Sequence, residues 1–381
     1  MQRLSDLDLE YNRIIASNLV GRYITNSDIF PLINNLPEVF STEIVGYSEQ
    51  NRPIYSVRIG TGETKIMIWS QMHGNESTCT KALFDVFNFF KLTSSSSILR
   101  QCSLLVIPIL NPDGAEAYTR HNANDVDLNR DALQLTQKES RVLRQVFETY
   151  KPHYGFNMHD QRSLFNVGQS NQPATISFLS PAQDLELSVS PNRLQAMSVI
   201  HQMNVMLQQL IPGQVGRFDD AFNINCVGDY FQSKGVATIL FEAGHFPEDY
   251  GREKTRKFIA CSVLEALNVI SSNKVSEKDL ENYLQIPENN TLFFDIILQN
   301  VLMKSKTSEE ITDLGITFKE TLINNQISFL PQIKSMGDLA AYYGHKTINL
   351  HQKPIESSQE VLKLLGKDFL QYFHKYLLKL N

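Results

Sequence analysis

Hydrophobic and polar positions alternate between two patterns over the earlier part of the chain. Continuous apolar runs, typical of strands covered on both faces, occur at Ile66–Trp69, Cys102–Leu110, Tyr154–Met158 and Gly235–Phe241. Helical periodicity marks Thr78–Leu92, Lys138–Tyr150, Asn192–Gln209 and Glu253–Ser271. Strands that alternate with helices predict an α/β fold, with a mixed, largely parallel sheet flanked by helices.

One further strand is predicted before the first apolar run. Ile54–Gly60 alternates apolar and polar residues, and the run Gly60-Thr61-Gly62-Glu63 follows it as a turn. We therefore expect a hairpin between this strand and the strand that leads to His73.

The pattern changes character at the polar stretch Ser271–Asp279. Short strands with Asn-rich turns follow at Leu292–Leu298, Ile316–Glu320, Ile327–Phe329 and Thr347–Leu350, and a final helix is expected from Ser357 to about Leu380. The sequence thus predicts a main domain at residues 1–272 and a smaller, β-rich C-terminal domain at 280–381. The smaller domain carries no obvious chemistry, which favours a structural or interaction module.

Composition and charge exclude several classes of partner. The chain is 42% hydrophobic and 20% charged, which is ordinary for a globular protein. A formal net charge of −6 and the lack of a Lys/Arg run argue against nucleic-acid binding. No apolar stretch reaches the length of a membrane span, and the acidic segment Met1–Asp8 does not fit a signal peptide. We therefore expect no nucleic acid, no membrane and a cytoplasmic location.

The four cysteines, Cys79, Cys102, Cys226 and Cys261, show no short spacing. They fit neither a zinc ribbon nor a small disulfide framework, so reduced and mostly buried thiols are expected. Cys226 differs in position, because it falls close to a stretch that we assign to the site.

Candidate metal ligands follow two of the predicted strands. His73 and Glu76 lie in the turn before the helix Thr78–Leu92. An imidazole and a carboxylate at this spacing can converge on one metal ion, although ordinary polar turns contain such pairs too. His159 ends the strand Tyr154–Met158, and open α/β sheets gather ligands at the carboxyl ends of their strands. The three side chains together predict one zinc ion.

Glu242 directly follows the strand Gly235–Phe241, so its carboxylate is expected at the same sheet edge. A buried carboxylate costs free energy unless it lies beside a cation or transfers protons. Beside zinc, Glu242 can take a proton from a metal-activated water that attacks a carbonyl, and deliver it to the leaving amine.

The loop after Asn111-Pro112-Asp113-Gly114 contains Arg120 and Arg130. A guanidinium group is a planar fork suited to carboxylates, so two in one loop suggest an anionic group in the substrate. A solvated polar loop is the alternative.

In this order, the motifs resemble those of the zinc carboxypeptidase (metallocarboxypeptidase) family. The resemblance covers about Ile54–Tyr250 and rests on His73-x-x-Glu76, Asn111-Pro112-Asp113-Gly114, Thr119-Arg120-x-Asn122-Ala123-Asn124-x-Val126-Asp127-Leu128-Asn129-Arg130, His159 and Glu242. The arginine loop looks closest to bacterial members such as murein peptide amidases. The resemblance implies a zinc carboxypeptidase-like catalytic domain at 1–272 and hydrolysis of a C-terminal peptide or isopeptide bond in a small peptide or amino-acid conjugate.

The resemblance also implies roles at the metal. His73, Glu76 and His159 match the ligands of a single zinc ion. Glu242 matches the general base and acid, and Asp127 matches an acid that orients the first zinc histidine and fixes its tautomer.

The remaining implied roles concern the substrate. Arg120 matches the arginine that polarises the scissile carbonyl and supports the oxyanion. Asn129 and Arg130 match the pair that holds the terminal carboxylate.

Two departures from the family pattern affect the substrate. The segment Arg217–Phe222 contains no tyrosine where the digestive members carry a mobile one, and Tyr230 is not assigned that role. Asp131 follows Arg130 where many relatives have asparagine. The acids of the stretch before Glu242 would favour a basic side chain unless they face solvent; they are Asp219, Asp220 and Asp229.

Two other functions compete with a peptidase. A zinc-dependent deacylase of N-acyl amino acids, such as a desuccinylase or aspartoacylase, also carries His-Gly-Asn-Glu and Asp-Leu-Asn-Arg. A catalytically dead binding module predicts loss of at least one catalytic position, whereas every such position is occupied here.

Overall fold

The computed structural model describes residues 11–93, 97–274, 276, 278–304, 309–352, 354–355 and 365. The chain forms two compact units, Met1–Arg162 with Ala174–Asn289, and Ser163–Pro173 with Asn290–Asn381. These bounds differ from the predicted division because a helix at Asp279–Leu284 belongs to the first unit, where Ser198 Oγ donates to Asp279 Oδ2 at 2.6 Å.

The strands in chain order are β1 (Ser41–Tyr47), β2 (Pro53–Ile59), β3 (Thr64–Ser70), β4 (Cys102–Ile107), β5 (Tyr154–Asp160), β6 (Asn166–Val167), β7 (Ile176–Leu179), β8 (Val215–Arg217), β9 (Ala237–Ala243), β10 (Asn289–Asn290), β11 (Phe293–Lys304), β12 (Glu309–Ile323), β13 (Gln326–Gly337), β14 (Tyr343–Asn349) and β15 (Pro354–Ile355). The α-helices are α1 (Asn26–Asn34), α2 (Thr78–Leu92), α3 (Ser97–Gln101), α4 (Pro112–Ala117), α5 (Lys138–Tyr150), α6 (Pro191–Leu207), α7 (Val227–Ser233), α8 (Glu253–Ser271) and α9 (Asp279–Leu284). Short 3-10 helices occur at Tyr11–Arg13 and Leu128–Arg130.

The first unit is built on an eight-stranded sheet with the order β1-β2-β4-β3-β5-β9-β7-β8. Its central strands β4, β3, β5 and β9 run parallel, and antiparallel pairs occur at β1–β2, β2–β4 and β7–β9. The predicted mixed, largely parallel sheet is confirmed.

Helices cover both faces of this sheet, and β3 shows why its run is wholly apolar. Ile66 and Ile68 point into a core shared with α2, α6 and α8. Met67 and Trp69 point to the opposite face, into a core shared with α5 and α7. Side chains alternate along a strand, so a strand buried on both faces needs an apolar residue at every position.

The predicted hairpin between β2 and β3 is wrong, because β4 lies between them. Val106 pairs with Val57 of β2 on one side and with Ile68 of β3 on the other. The turn at residues 60–63 instead carries the chain past the start of β4, where Thr61 N donates to Leu99 O. The turn residues predict a change of direction, but they do not say which strand fills the gap.

The second unit contains a sheet in which β13, β12, β11 and β14 lie side by side and β15 also pairs with β11. The predicted strands are present but longer, and the turn Asn324-Asn325 between β12 and β13 has the positive φ angles of a tight hairpin. The predicted final helix falls outside the described residues except at position 365.

Residues of the segment 163–173 bond to the later strands of this second unit. Phe293 N donates to Leu164 O at 3.2 Å, and His345 Nε2 contacts Ser163 O at 2.7 Å. In the part of the chain that the structure describes, no helix combines the length and apolarity needed to cross a bilayer.

Candidate active site

The turn that holds His73 and Glu76 connects β3 to α2, and close backbone packing fixes its path. A Cβ atom built on Gly74 would lie 1.9 Å from the carbonyl carbon of Gly114, so no other residue fits there. Asn111 braces the same turn, because its Nδ2 donates to Met72 O at 3.1 Å and its Oδ1 accepts from Gly114 N at 2.8 Å. The Asn-Pro-Asp-Gly segment, in which Asn111 caps the start of α4, thus supports the turn of the candidate ligands.

His73, Glu76 and His159 converge, with one donor atom of each lying within 4.8 Å of the others. His73 Nδ1 lies 2.9 Å from Glu76 Oε1, and His159 Nδ1 lies 2.8 Å from Glu76 Oε2. The two Nδ1 atoms are 3.1 Å apart. All three side chains are buried, so their polar atoms face one another rather than solvent.

The arrangement fits a zinc ion. Two nitrogens bound to one tetrahedral zinc at about 2.0–2.1 Å are roughly 3.3 Å apart, close to the separation of the two Nδ1 atoms. Burial lowers the pKa of His159, which favours the neutral imidazole that binds metals. Burial opposes ionisation of Glu76, but the adjacent histidines hold the pKa of this carboxyl below its ordinary value. One metal cation can bind a lone pair from all three side chains at once, whereas one proton bridges only two of them.

Asp127 joins the candidate ligands to Arg120. Its Oδ1 lies 3.0 Å from His73 Nε2, and an ionised carboxylate only accepts, so Nε2 carries the proton and Nδ1 is left as a ligand atom. Its Oδ2 accepts from Nε and Nη2 of Arg120, both at 3.1 Å. Arg120 Nη1 reaches Glu76 Oε1 at 3.3 Å, which places the guanidinium beside the cluster.

Asn129 and Arg130 lie on the 3-10 helix that Asp127 caps, next to the start of α7. Val227 N donates to Asn129 Oδ1 at 2.9 Å, so the amide nitrogen of Asn129 is directed away from this contact. Arg130 Nη1 donates to Asn129 O at 2.7 Å and to Cys226 Sγ at 3.1 Å. The two side chains therefore offer N–H donors from one short segment.

Glu242 lies directly opposite His159 in the register of the neighbouring parallel strands β9 and β5. Its Oε2 is buried and has no hydrogen-bond partner among the described residues. Burial, and after it repulsion from Glu76 and Asp160, raises the pKa of Glu242 well above its ordinary value. A raised pKa is typical of carboxylates that transfer protons.

Asp160 also contributes to the site, although sequence reasoning missed it. Its backbone N–H donates to Glu76 Oε2 at 3.2 Å, and its Oδ2 accepts from Thr78 N at 3.0 Å at the start of α2. The available signal was its position directly after His159, at the end of a buried strand.

Other residues considered for the substrate lie in ordinary structural contacts. The Tyr230 ring packs under Arg144, with 3.8 Å from the guanidinium carbon to the ring centroid. Asp220 pairs with buried Arg193, and Asp229 is itself buried. Burial raises the pKa of Asp229 to about 6. Asp219 alone among the three acids is exposed.

The fold and this site define an α/β protein in which two histidines and a glutamate that could hold a metal ion lie at the carboxyl ends of parallel strands. Residues 29–191 match the model of the family described as zinc carboxypeptidase. Carboxypeptidase 2 of Trichophyton rubrum is 28% identical over 113 residues, which are 29% of this chain and 20% of that protein. This chain is thus similar to zinc carboxypeptidases over residues 29–191, and it matches about a fifth of the length of these curated relatives.

Solved structures show the same fold. Carboxypeptidase A from Helicoverpa armigera superposes with a TM-score of 0.54 at 15% identity, over 71% of this chain and 82% of that one. A metallo-carboxypeptidase from Pseudomonas aeruginosa, in complex with (2-guanidinoethylmercapto)succinic acid, gives a TM-score of 0.52 at 17% identity, over 65% of this chain and 68% of that one.

Proposed function

We propose that this protein is a zinc-dependent metallopeptidase that hydrolyses a C-terminal peptide or isopeptide bond. The observation that carries the proposal is the convergence of His73, Glu76 and His159 directly beside Glu242, at one edge of the sheet. The match of residues 29–191 to the zinc carboxypeptidase family model supports the same activity.

His73, Glu76 and His159 would hold one zinc ion. Zinc supplies Lewis acidity, which polarises a carbonyl group and acidifies water. Asp127 keeps His73 in the tautomer that leaves Nδ1 available, and the N–H of Asp160 helps to orient Glu76.

Glu242 is the proposed general base and acid. Its unpartnered Oε2 can accept a proton from the attacking water and return that proton to the leaving amine. Arg120 is held by Asp127 with a guanidinium edge toward the cluster, where its N–H groups can donate to the oxygen of the scissile carbonyl.

Asn129 and Arg130 are proposed to bind the terminal carboxylate of the substrate. Because Asn129 Oδ1 already accepts from Val227 N, the amide nitrogen remains as the donor that a carboxylate requires. Arg130 adds a positive charge beside it, and a charge-assisted bond to a carboxylate is stronger than a neutral one.

The proposal is tested with zinc-loaded protein and peptides of the form acetyl-Gly-Gly-X, with and without a chelator. We expect release of the C-terminal residue that stops when zinc is removed and returns when it is restored. N-acyl amino acids form the parallel arm, and hydrolysis of these compounds alone would overturn the peptidase in favour of a deacylase.

Replacement of the base gives a second test. Glu242→Gln should bind zinc and peptide while kcat falls by about 100-fold or more, since general base catalysis contributes that much. Glu248→Gln, at an exposed position of the loop after β9, is the matched control and should keep its turnover. Unchanged turnover in Glu242→Gln would remove this residue from the mechanism.

A further inference from the structure

Cys226 differs from the other cysteines of the chain. Cys79, Cys102 and Cys261 are buried, whereas Cys226 is only partly buried. It immediately precedes α7 in an extended conformation, with φ −74° and ψ 134°. This position brings its sulfur to the segment that carries Asn129 and Arg130.

The sulfur takes part in fixing the guanidinium of Arg130. One nitrogen, Nη1, donates both to Cys226 Sγ at 3.1 Å and to Asn129 O at 2.7 Å. Two acceptors on one terminal nitrogen restrict rotation of the guanidinium plane, which leaves its other N–H groups for a ligand.

The backbone around this contact is tied on both sides. Val227 N donates to Asn129 Oδ1 at 2.9 Å, and Ala132 N donates to Asn225 O at 3.2 Å. The segments 129–132 and 225–227 are therefore joined next to the sulfur. These two hydrogen bonds hold the segments together and so keep the sulfur beside Arg130.

The chemistry of a thiol suits this position. Burial raises the pKa of the Cys226 thiol to about 11, so the sulfur is uncharged at neutral pH and accepts a hydrogen bond without neutralising Arg130. Among the described residues, no carboxylate lies within salt-bridge distance of Arg130, in contrast to Arg120. A carboxylate in place of the sulfur would occupy Arg130 as an internal competitor of the substrate.

We propose that Cys226 is a positioning residue that orients the Arg130 guanidinium toward the C-terminal carboxylate of the substrate while leaving its charge free. The proposal rests on the proposed function, in which Arg130 binds that carboxylate. It extends the carboxylate-binding pair to a third side chain, which acts through Arg130 and does not touch the substrate.

The test compares Cys226→Ser, Cys226→Ala and Cys226→Asp with the parent protein, and Cys102→Ala serves as a buried-cysteine control. KM and kcat are measured on the acetyl-Gly-Gly-X peptide that the parent protein cleaves fastest. Serine keeps an uncharged acceptor and should leave KM within about twofold. Alanine should raise KM by about fivefold and aspartate by about tenfold or more, and kcat should stay nearly unchanged in both variants.

A second readout avoids turnover. Calorimetric titration with L-phenylalanine, L-lysine and L-glutamate, each against its amide, reports binding of the carboxylate alone. The preference for the acid over the amide should fall in the order parent, Ala, Asp. Equal preferences in all variants, or an effect in Cys102→Ala as large as in Cys226→Ala, would overturn the role of Cys226. Absence of peptide hydrolysis by the parent protein would overturn the proposed function instead, because calorimetry does not depend on turnover.

Discussion

Replacement of Asp127 by asparagine should weaken zinc binding although the side chain keeps its shape. Asp127 accepts four N–H groups: His73 Nε2 and Asn129 N at Oδ1, and Nε and Nη2 of Arg120 at Oδ2. An amide has only one acceptor oxygen. If that oxygen keeps the place of Oδ1, the amide N–H groups face the N–H donors of Arg120. If the amide turns over, its nitrogen faces His73 Nε2 and favours the tautomer with a proton on Nδ1, the atom that would bind zinc.

The first orientation keeps the contact to His73 but loses the charged carboxylate and its bonds from Arg120, whereas the second loses the contact to His73 itself. Partners of this kind are worth about 10-fold to 100-fold in metal affinity. The corresponding free energy of zinc binding is about 1.4–2.7 kcal/mol. The Asp127 side chain is 18% exposed, so solvent replaces little of what is lost.

Competition with a chromogenic zinc chelator measures the effect, and Asp125→Asn is the matched control. Asp125 lies two residues earlier, and its side chain is 94% exposed while it pairs with His121. The control should bind zinc like the parent protein, since exposed pairs contribute little. Equal zinc affinities for the two variants would refute the role that we derive for Asp127.

Three further predictions concern substrate binding and stability. Arg130→Ala should raise KM for free-carboxylate peptides and leave C-terminal amides unaffected, as steady-state kinetics on matched peptides will show; an equal effect on both would contradict carboxylate binding. Asp85→Asn should lower the free energy of unfolding in urea by about 3–5 kcal/mol, because fully buried Arg256 loses its buried carboxylate partner and keeps only the partly exposed Glu253. Asn88→Ala on the same helix should cost about 1 kcal/mol. Burial raises the pKa of Asp229 to about 6, so the contribution of this side chain to stability is fully present only at low pH and is lost as the pH rises through 6. The free energy of unfolding of Asp229→Asn, relative to that of the parent, should therefore rise by up to about 3 kcal/mol between pH 4 and pH 7. A pH-independent difference between the two proteins would contradict this sign.

The helices and the candidate ligands could be predicted from the sequence because local patterns determine them. The helices Thr78–Leu92, Lys138–Tyr150 and Glu253–Ser271 begin and end at the predicted residues. The structure brings His73 and His159 together because parallel strands end at the same sheet edge, which is a property of the fold class.

The features that could not be predicted depend on contacts between distant segments. The position of β4 between β2 and β3 follows from sheet packing, since a turn does not specify its strand partners. The family model ends at residue 191, so the place of Glu242 beside His159 rests on the register of β5 and β9. The bond between Arg130 and Cys226 joins residues that are far apart in sequence, and no local motif encodes it.

The segment 163–173 has a consequence for how the protein is made. It leaves the ribosome long before Phe293 and His345, the residues that bond to Leu164 and Ser163. During synthesis, the carbonyl groups of Leu164 and Ser163 therefore stay without these partners until the later strands have been made. A polypeptide truncated after residue 289 would lack Phe293 and His345, so this segment would lose both hydrogen bonds.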